Sequence, residues 1–186
     1  KTFNQDSIVL IGSSTGGTHA LKDILTMMPA EIPAMLIVQH IPPIFSKAFA
    51  DRMNSLCSFT VKEAEHGDVI EKNNVLIAPG GKQMKLTNFG ATFKVEINDD
   101  EPVNRFRPSV DYMFSSAKAL VKRKHAVAVI LTGMGRDGAK EMLNLKKMGA
   151  RTIAQSEKTC TVFGMPREAI ALGAIDLIED TENIAC

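Results

Sequence analysis

The sequence is poor in cysteine, in net charge and in long apolar runs, and each shortage excludes a class of protein. Its three cysteines, Cys57, Cys160 and Cys186, are an odd number without metal-ligand spacing, which argues against a disulfide framework and a zinc site. Lys and Arg total 22 against 21 for Asp and Glu, so a net charge of +1 gives no overall attraction to nucleic acid or anionic lipid. No apolar stretch reaches the roughly 18 residues of a membrane span. We therefore expect a cytoplasmic protein with no metal ion, no other cofactor, no nucleic-acid partner and no membrane insertion.

The length of the chain fits one domain. Its 186 residues are enough to bury a full core without metal or disulfide support, so residues 1–186 are expected to fold as a single unit. The chain begins at Lys1 rather than at a methionine, and a predicted strand follows almost at once. We expect a fragment of a longer protein whose upstream part is missing.

Short apolar runs alternate with segments of helical periodicity. The apolar runs predict strands at 8–11, 35–39, 75–78, 126–131, 152–154 and 175–178, and the periodic segments predict helices at 18–28, 44–56, 108–121, 138–148 and 166–172. Residues 83–86 and 92–97 alternate apolar with polar side chains around a turn, as a hairpin does. The pattern predicts an α/β fold: a three-layer α/β/α, doubly wound, mostly parallel sheet with an antiparallel hairpin near one edge.

A glycine-rich turn follows the first predicted strand. Gly12, Ser13, Ser14, Thr15 and Gly16 lie between that strand and a predicted helix, which is the layout of a nucleophile elbow with Ser14 at its tip. Such an elbow strains the backbone of its serine, and its glycines leave room for the substrate. Two other interpretations stay open at this point: a turn that caps a helix, and a cradle of backbone amides for a phosphate.

Polar residues that follow three predicted strands complete a hydrolase interpretation. Ser14, His40 and Asp137 each come just after an apolar run, and ligands of open parallel sheets bind at the carboxyl ends of the strands. A serine needs a base to take its proton, and an imidazole works best when a carboxylate orients it. These three residues are therefore predicted to be nucleophile, base and orienting acid.

Two competing sites occur in the same sequence. Residues 133–138 match the dinucleotide pattern G-x-G-x-x-G after a strand, with Glu157 about 20 residues further on. That interpretation places the Asp137 carboxylate where a pyrophosphate needs donors, and it leaves the turn at Ser14 without a role. Cys160 is a further candidate nucleophile, but no glycine elbow or helix start surrounds it.

Five segments of the chain, taken together, resemble a known family. They are residues 11–17, 39–43, 102–111, 131–139 and 162–170, which contain Ser14, His40 and Asp137. In this order they resemble the catalytic domain of the chemotaxis protein-glutamate methylesterases, the CheB family, over essentially the full length. The resemblance implies a triad of Ser14, His40 and Asp137 on a doubly wound parallel sheet, and it rejects the dinucleotide interpretation.

The resemblance also implies a substrate and partners. Family members hydrolyse γ-glutamyl methyl esters on the cytoplasmic helices of chemoreceptors and release methanol, and many also deamidate receptor glutamines. They carry an upstream phosphorylatable receiver domain that restrains the esterase. A methylated receptor domain is thus the implied partner. An inactive chemotaxis adaptor and a nucleotide-binding domain remain as alternatives of a different class.

Further residues are predicted around the triad. The oxyanion is expected to bind the backbone N–H of Thr15 and one N–H of the Gly133 turn near Met134, with Met134 as an apolar wall. Four arginines are candidates for steering an acidic receptor toward the site: Arg105, Arg107, Arg136 and Arg167. Two residues depart from the family pattern: Ser13 stands where alanine is frequent, and Arg136 where asparagine is frequent. The sequence assigns no role to this second hydroxyl or to this cation.

Overall fold

The main sheet of the protein is parallel throughout. The computed structural model describes residues 6–185, so Lys1 and Cys186, named above, lie outside the described residues. Within this range the sheet strands are β1 (Ile8–Ser13), β2 (Ala34–Gln39), β3 (Thr60–Glu63), β4 (Asn74–Ile77), β7 (Ala126–Ile130), β8 (Arg151–Gln155) and β9 (Leu177–Glu179). Their spatial order is β3-β4-β2-β1-β7-β8-β9 and each neighbouring pair is parallel. The predicted parallel α/β fold is confirmed.

Helices cover both faces of this sheet. One face packs on α1 (Gly17–Met27), α2 (Pro43–Leu56) and α7 (Thr181–Ile184), and the other on α3 (Val110–Ser116), α5 (Ala139–Lys147) and α6 (Met165–Ala171). The central strands are buried on both sides, which is why β1 and β2 read as continuous apolar runs. None of the helices described is long and apolar enough to cross a membrane.

The predicted hairpin is present, but it does not extend the main sheet. β5 (Gln83–Phe89) and β6 (Thr92–Asn98) pair only with each other, as a two-stranded antiparallel sheet. Met84, Leu86 and Val95 of the hairpin join the core on the α3 side. The hairpin therefore packs against the helices on that face and adds no strand to the main sheet.

Some element bounds differ from the sequence prediction for identifiable reasons. β3 was not predicted because only Val61 of its four residues is buried, so it has no apolar run. The helix predicted at 108–121 begins at Val110, because the Ser109 side chain accepts a hydrogen bond from Tyr112 N, and α4 (Lys118–Val121) follows it as a separate turn. β9 begins two residues later than predicted, and the short α7 was missed.

The order of the strands locates a crevice. β1 lies between β2 and β7, and the helix after β1 covers one face of the sheet while the helix after β7 covers the other. Ligands of doubly wound sheets bind at such a switch point, outside the carboxyl ends of the strands. The loops that follow β1, β2 and β7 meet there.

Candidate active site

Ser14 lies directly after β1, at this crevice. Its backbone N–H donates to the Thr132 carbonyl at 3.0 Å, which links the β1 loop to the β7 loop. Ser14 is not among the described residues with positive φ; in this turn the left-handed conformation falls on Gly16, with φ of 82°. A Cβ on Gly16 would lie 2.5 Å from Thr161 Cβ, so the turn needs glycine for both conformation and space.

Ser13, the neighbouring hydroxyl, faces the protein interior. Its residue is fully buried, and its Oγ donates to Gln39 Oε1 at 2.6 Å. The Gln39 amide nitrogen in turn donates to the carbonyls of Ser14 at 2.8 Å and His40 at 3.0 Å. Ser13 therefore has a structural role, because through Gln39 it fixes the backbone on either side of the crevice. Its buried hydroxyl has no access to a ligand.

His40 follows β2 and is oriented by a carboxylate. Its Nε2 lies 2.7 Å from Asp137 Oδ2, and the two side chains are 7% and 0% exposed. The other ring nitrogen, Nδ1, is buried and has no hydrogen-bond partner among the described residues. Since an ionised carboxylate can only accept, the neutral imidazole carries its hydrogen on Nε2 and its lone pair on Nδ1. No hydrogen bond joins the Ser14 hydroxyl to the imidazole in this resting arrangement of the described residues.

Asp137 is the most heavily hydrogen-bonded side chain of the crevice. Its two oxygens accept from five groups: His40 Nε2, Asn104 Nδ2, Ser109 Oγ, and the backbone N–H groups of Val110 and Asp111. Burial by itself raises the pKa of Asp137, but the hydrogen bonds from His40, Asn104 and the two backbone groups outweigh it, so the pKa lies below its usual value. Asp137 is therefore a carboxylate at neutral pH.

The candidate oxyanion donors belong to two peptides of fixed orientation. The Ser14 carbonyl accepts from Gln39 Nε2 at 2.8 Å and Gly17 N at 2.7 Å, and the N–H of Thr15, in the same peptide plane, points the opposite way. The Gly133 carbonyl likewise accepts from the N–H groups of Gly164 and Met165, which aims the Met134 N–H away from them. The described residues include no hydrogen-bond acceptor for the N–H of Thr15 or Met134.

Gly133 brings these two loops into contact. A Cβ on Gly133 would lie 2.7 Å from Ser14 Cβ and closer still to Met165 Sδ, so a side chain at this position would displace the serine. Met134, the next residue, is 67% exposed and forms a wall of the cleft beside the crevice. All three candidate oxyanion and pocket residues thus surround Ser14.

The four candidate arginines do not share one location. Arg136 and Arg167 line the same open cleft of about 720 Å³ as Met134, together with Glu157 and Glu168. Arg105 is exposed on a tight turn, and Arg107 donates to the Asp99 carbonyl at 3.3 Å. Arg136 and Arg167 therefore line the cleft beside the crevice, whereas Arg107 is bonded to the residue that follows the hairpin.

Sequence reasoning missed several residues that contact the triad, among them Phe106 and Asn104. The Phe106 ring stacks on the His40 imidazole, with ring centroids 3.6 Å apart and planes 5° from parallel. The Asn104 amide donates to Asp137 Oδ1 at 2.8 Å. Both belong to a loop far away in the chain, between β6 and α3. No spacing rule points to them, although they lie in one of the five segments that carry the family resemblance.

The competing sites do not have the geometry that they need. In the 133–138 loop the Gly133 N–H is already used by the Val162 carbonyl, and Asp137 is turned inward, so the loop is no phosphate cradle. Burial raises the pKa of the Cys160 thiol to about 11, which leaves little thiolate at neutral pH. The described residues contain no group of three or more His, Cys, Asp or Glu side chains placed to hold a metal ion.

Comparison with known proteins identifies a family whose model matches this chain and a solved structure with the same fold. A family model described as CheB methylesterase matches residues 9–186. A solved structure, the CheB methylesterase catalytic domain of Thermotoga maritima, superposes with a TM-score of 0.91 at 38% identity and covers 96% of this chain and 94% of that chain.

The curated relatives are more similar in sequence to this chain than the Thermotoga domain is, and they are longer than this chain. Two are named protein-glutamate methylesterase/protein-glutamine glutaminase: that of Paraburkholderia xenovorans is 54% identical over 95% of this chain, and that of Pectobacterium atrosepticum is 50% identical over 98%. The matches cover 48% and 52% of those proteins, so the chain spans about half the length of these relatives.

Proposed function

Since this chain belongs to the CheB methylesterase family, we propose that it is a serine hydrolase that demethylates γ-glutamyl methyl esters on chemoreceptor helices and releases methanol. One observation carries the proposal. At the switch point of the sheet, a carboxylate holds a buried imidazole through Nε2, and the second nitrogen has no hydrogen-bond partner among the described residues. The backbone N–H of the same histidine donates to the carbonyl of Ser13, the residue before Ser14. This is the acid-base apparatus that an otherwise unreactive hydroxyl requires.

The proposed reaction begins with a proton transfer. Ser14 Oγ attacks the ester carbonyl carbon while His40 Nδ1 takes the hydroxyl proton, in a hydrogen bond that forms when substrate binds. The resulting imidazolium is stabilised by Asp137 through Nε2. His40 then gives the proton to the leaving methoxide, and methanol departs. Water, activated by the same nitrogen, hydrolyses the glutamyl-enzyme and regenerates Ser14.

The negative oxygen of each tetrahedral intermediate needs donors that are fixed in advance. We assign this role to the N–H groups of Thr15 and Met134, because the carbonyl of each peptide is held on the opposite side. The lack of a side chain at Gly133 allows the loops that carry these two peptides to approach each other, since any side chain there would push against Ser14.

Deamidation of receptor glutamine is a proposed second activity of the same site. An amide and an ester pass through similar tetrahedral intermediates, so the same base and donors serve both. The curated relatives carry protein-glutamine glutaminase in their names. His40 then gives its proton to the amide nitrogen instead of to methoxide, the C–N bond breaks, and ammonia departs.

The proposed setting is a cytoplasmic signalling protein. Receptor methylation sites of this kind lie on cytoplasmic helices, and the curated relatives are about twice as long as this chain. We propose that the remaining half of such a protein holds the receiver domain that restrains the esterase. No metal ion or other cofactor takes part in the proposed reaction.

Arg136 and Arg167 are proposed to attract the acidic receptor helix, because both line the cleft beside Met134. Added salt screens such attraction. We expect kcat/KM for a methylated receptor fragment to fall on the order of tenfold from low salt to high salt, while hydrolysis of a small neutral ester stays constant. An Arg136→Gln, Arg167→Gln double variant should lose most of this salt response. Equal salt responses for the two substrates would contradict steering by these residues.

Methanol release tests the proposed function directly. A methylated receptor cytoplasmic fragment is incubated with the parent chain and, separately, with its Ser14→Ala variant, and methanol is quantified. The proposal predicts release by the parent alone. Release of neither methanol from the ester nor ammonia from receptor glutamine by the parent would contradict it.

A further inference from the structure

The turn between β6 and α3 touches two members of the triad at once. Val103 and Phe106 pair through reciprocal backbone hydrogen bonds of 3.0 and 2.9 Å, so that Asn104 and Arg105 form a two-residue turn. Both have positive φ, 54° and 70°, which is the type I′ geometry. Asparagine tolerates this conformation, but arginine rarely adopts it. Strain of this kind persists where the surroundings hold it, and it is frequent at functional sites.

The two ends of this turn contact different catalytic groups. Phe106 covers one face of the His40 imidazole in a parallel stack, with centroids 3.6 Å apart. Asn104 uses both hydrogens of its amide, one on Asp137 Oδ1 at 2.8 Å and one on Asp111 Oδ2 at 2.7 Å. The neutral amide thus separates two buried carboxylates and fixes the rotation of the one that holds His40.

A buried glutamine anchors the turn to the scaffold. Gln83, fully buried at the start of β5, donates from Nε2 to the Phe106 carbonyl at 3.1 Å and accepts from Ser109 N at 2.9 Å. The Ser109 hydroxyl itself donates to Asp137 at 2.8 Å. The turn therefore has a fixed position relative to α3 and to the carboxylate.

We propose that the Val103–Phe106 turn is a positioning element for the His40–Asp137 pair, with Phe106 fixing the imidazole plane and Asn104 fixing the carboxylate. The inference rests on the proposed hydrolase mechanism. Neither side chain needs to touch the substrate: each acts through a catalytic group. The stack also places the electron-rich face of Phe106 against the ring that becomes positively charged during the reaction.

Four substitutions test this role. Phe106→Leu removes the flat ring, Phe106→Tyr keeps it, and Asn104→Gly removes the amide but tolerates the positive φ of the turn. Phe89→Leu is the matched control, because Phe89 is 72% exposed at the hairpin tip. For each, kcat and KM are measured with a small neutral ester, and the thermal unfolding midpoint reports folding.

A proton NMR measurement adds a readout that does not need turnover. The Nε2 proton shared by His40 and Asp137 gives a low-field resonance when it is held rigidly and shielded from water. We expect Phe106→Leu and Asn104→Gly to lower kcat about tenfold, with KM changed less than about twofold, and to broaden this resonance. Phe106→Tyr and Phe89→Leu should match the parent in both measurements.

The outcomes separate this proposal from the hydrolase proposal. Parent-like kcat and a sharp resonance in Phe106→Leu and Asn104→Gly would overturn the positioning role, as would a change confined to KM. If the parent hydrolyses no ester, the hydrolase mechanism fails, but the resonance still decides whether the turn orders the imidazole and its carboxylate.

Discussion

Replacing Ser14 by alanine is expected to lower kcat by about a million-fold, the loss found when the nucleophile of a serine protease triad is removed. Without the hydroxyl, His40 has no proton to accept and the acyl-enzyme cannot form. The oxyanion donors of Thr15 and Met134 remain in place, so weak residual catalysis above the uncatalysed rate should persist. Steady-state hydrolysis of a small ester, measured beside an unfolding curve for each variant, checks the prediction.

Ser13→Ala is the matched control for this loss. It removes the adjacent hydroxyl, which is fully buried and bonded to Gln39 rather than facing the crevice. A neutral hydrogen bond contributes about 1 kcal/mol, so we expect kcat to fall by no more than about tenfold. If Ser13→Ala were inert and Ser14→Ala active, the nucleophile would have been assigned to the wrong residue.

Asp137→Asn is expected to lower kcat by about ten-thousand-fold, which is the effect of the same change in a serine protease triad. The five donors that surround Asp137 require an acceptor on both oxygens, and an amide offers only one. When its NH₂ group faces the imidazole, the hydrogen moves to Nδ1, and that nitrogen can no longer take the proton of Ser14.

A second carboxylate provides the control for Asp137→Asn. Asp176 also accepts a backbone hydrogen bond, from Thr152 N at 2.9 Å, and hydrogen bonding likewise holds its pKa below the usual value despite the opposing effect of burial. It lies near the beginning of β8, at the opposite end of the strands from the crevice. Asp176→Asn should therefore leave kcat unchanged. A similar loss in both variants would indicate general destabilisation rather than a role in catalysis.

The positions of the three strand-end residues follow from local sequence rules. A buried parallel strand reads as an unbroken apolar run, so the ends of β1, β2 and β7 are visible, and parallel strands must present those ends at one edge. The proximity of Ser14, His40 and Asp137 is a consequence of topology. It does not depend on accurate helix bounds, several of which differ by a few residues.

The supporting contacts are beyond such rules because they depend on long-range packing. Phe106 and Asn104 reach the site only because the hairpin packs beside α3 and Gln83 holds their turn there. Nothing in the local pattern distinguishes this loop from an ordinary connection. The choice between Ser13 and Ser14 as nucleophile also depends on such packing. The motif favours Ser14, and the structure adds that the Ser13 hydroxyl is hydrogen-bonded to Gln39.

The measurement that tests the central assignment most directly is covalent labelling with a fluorophosphonate, followed by mass spectrometry of the proteolytic peptides. Such a reagent reacts with a serine only where a base activates the hydroxyl and donors stabilise the developing negative charge. We predict a single adduct on Ser14 in the parent and in Ser13→Ala, and none in Ser14→Ala or His40→Ala. An adduct on Ser13, or equal labelling of the parent and Ser14→Ala, would contradict the assignment.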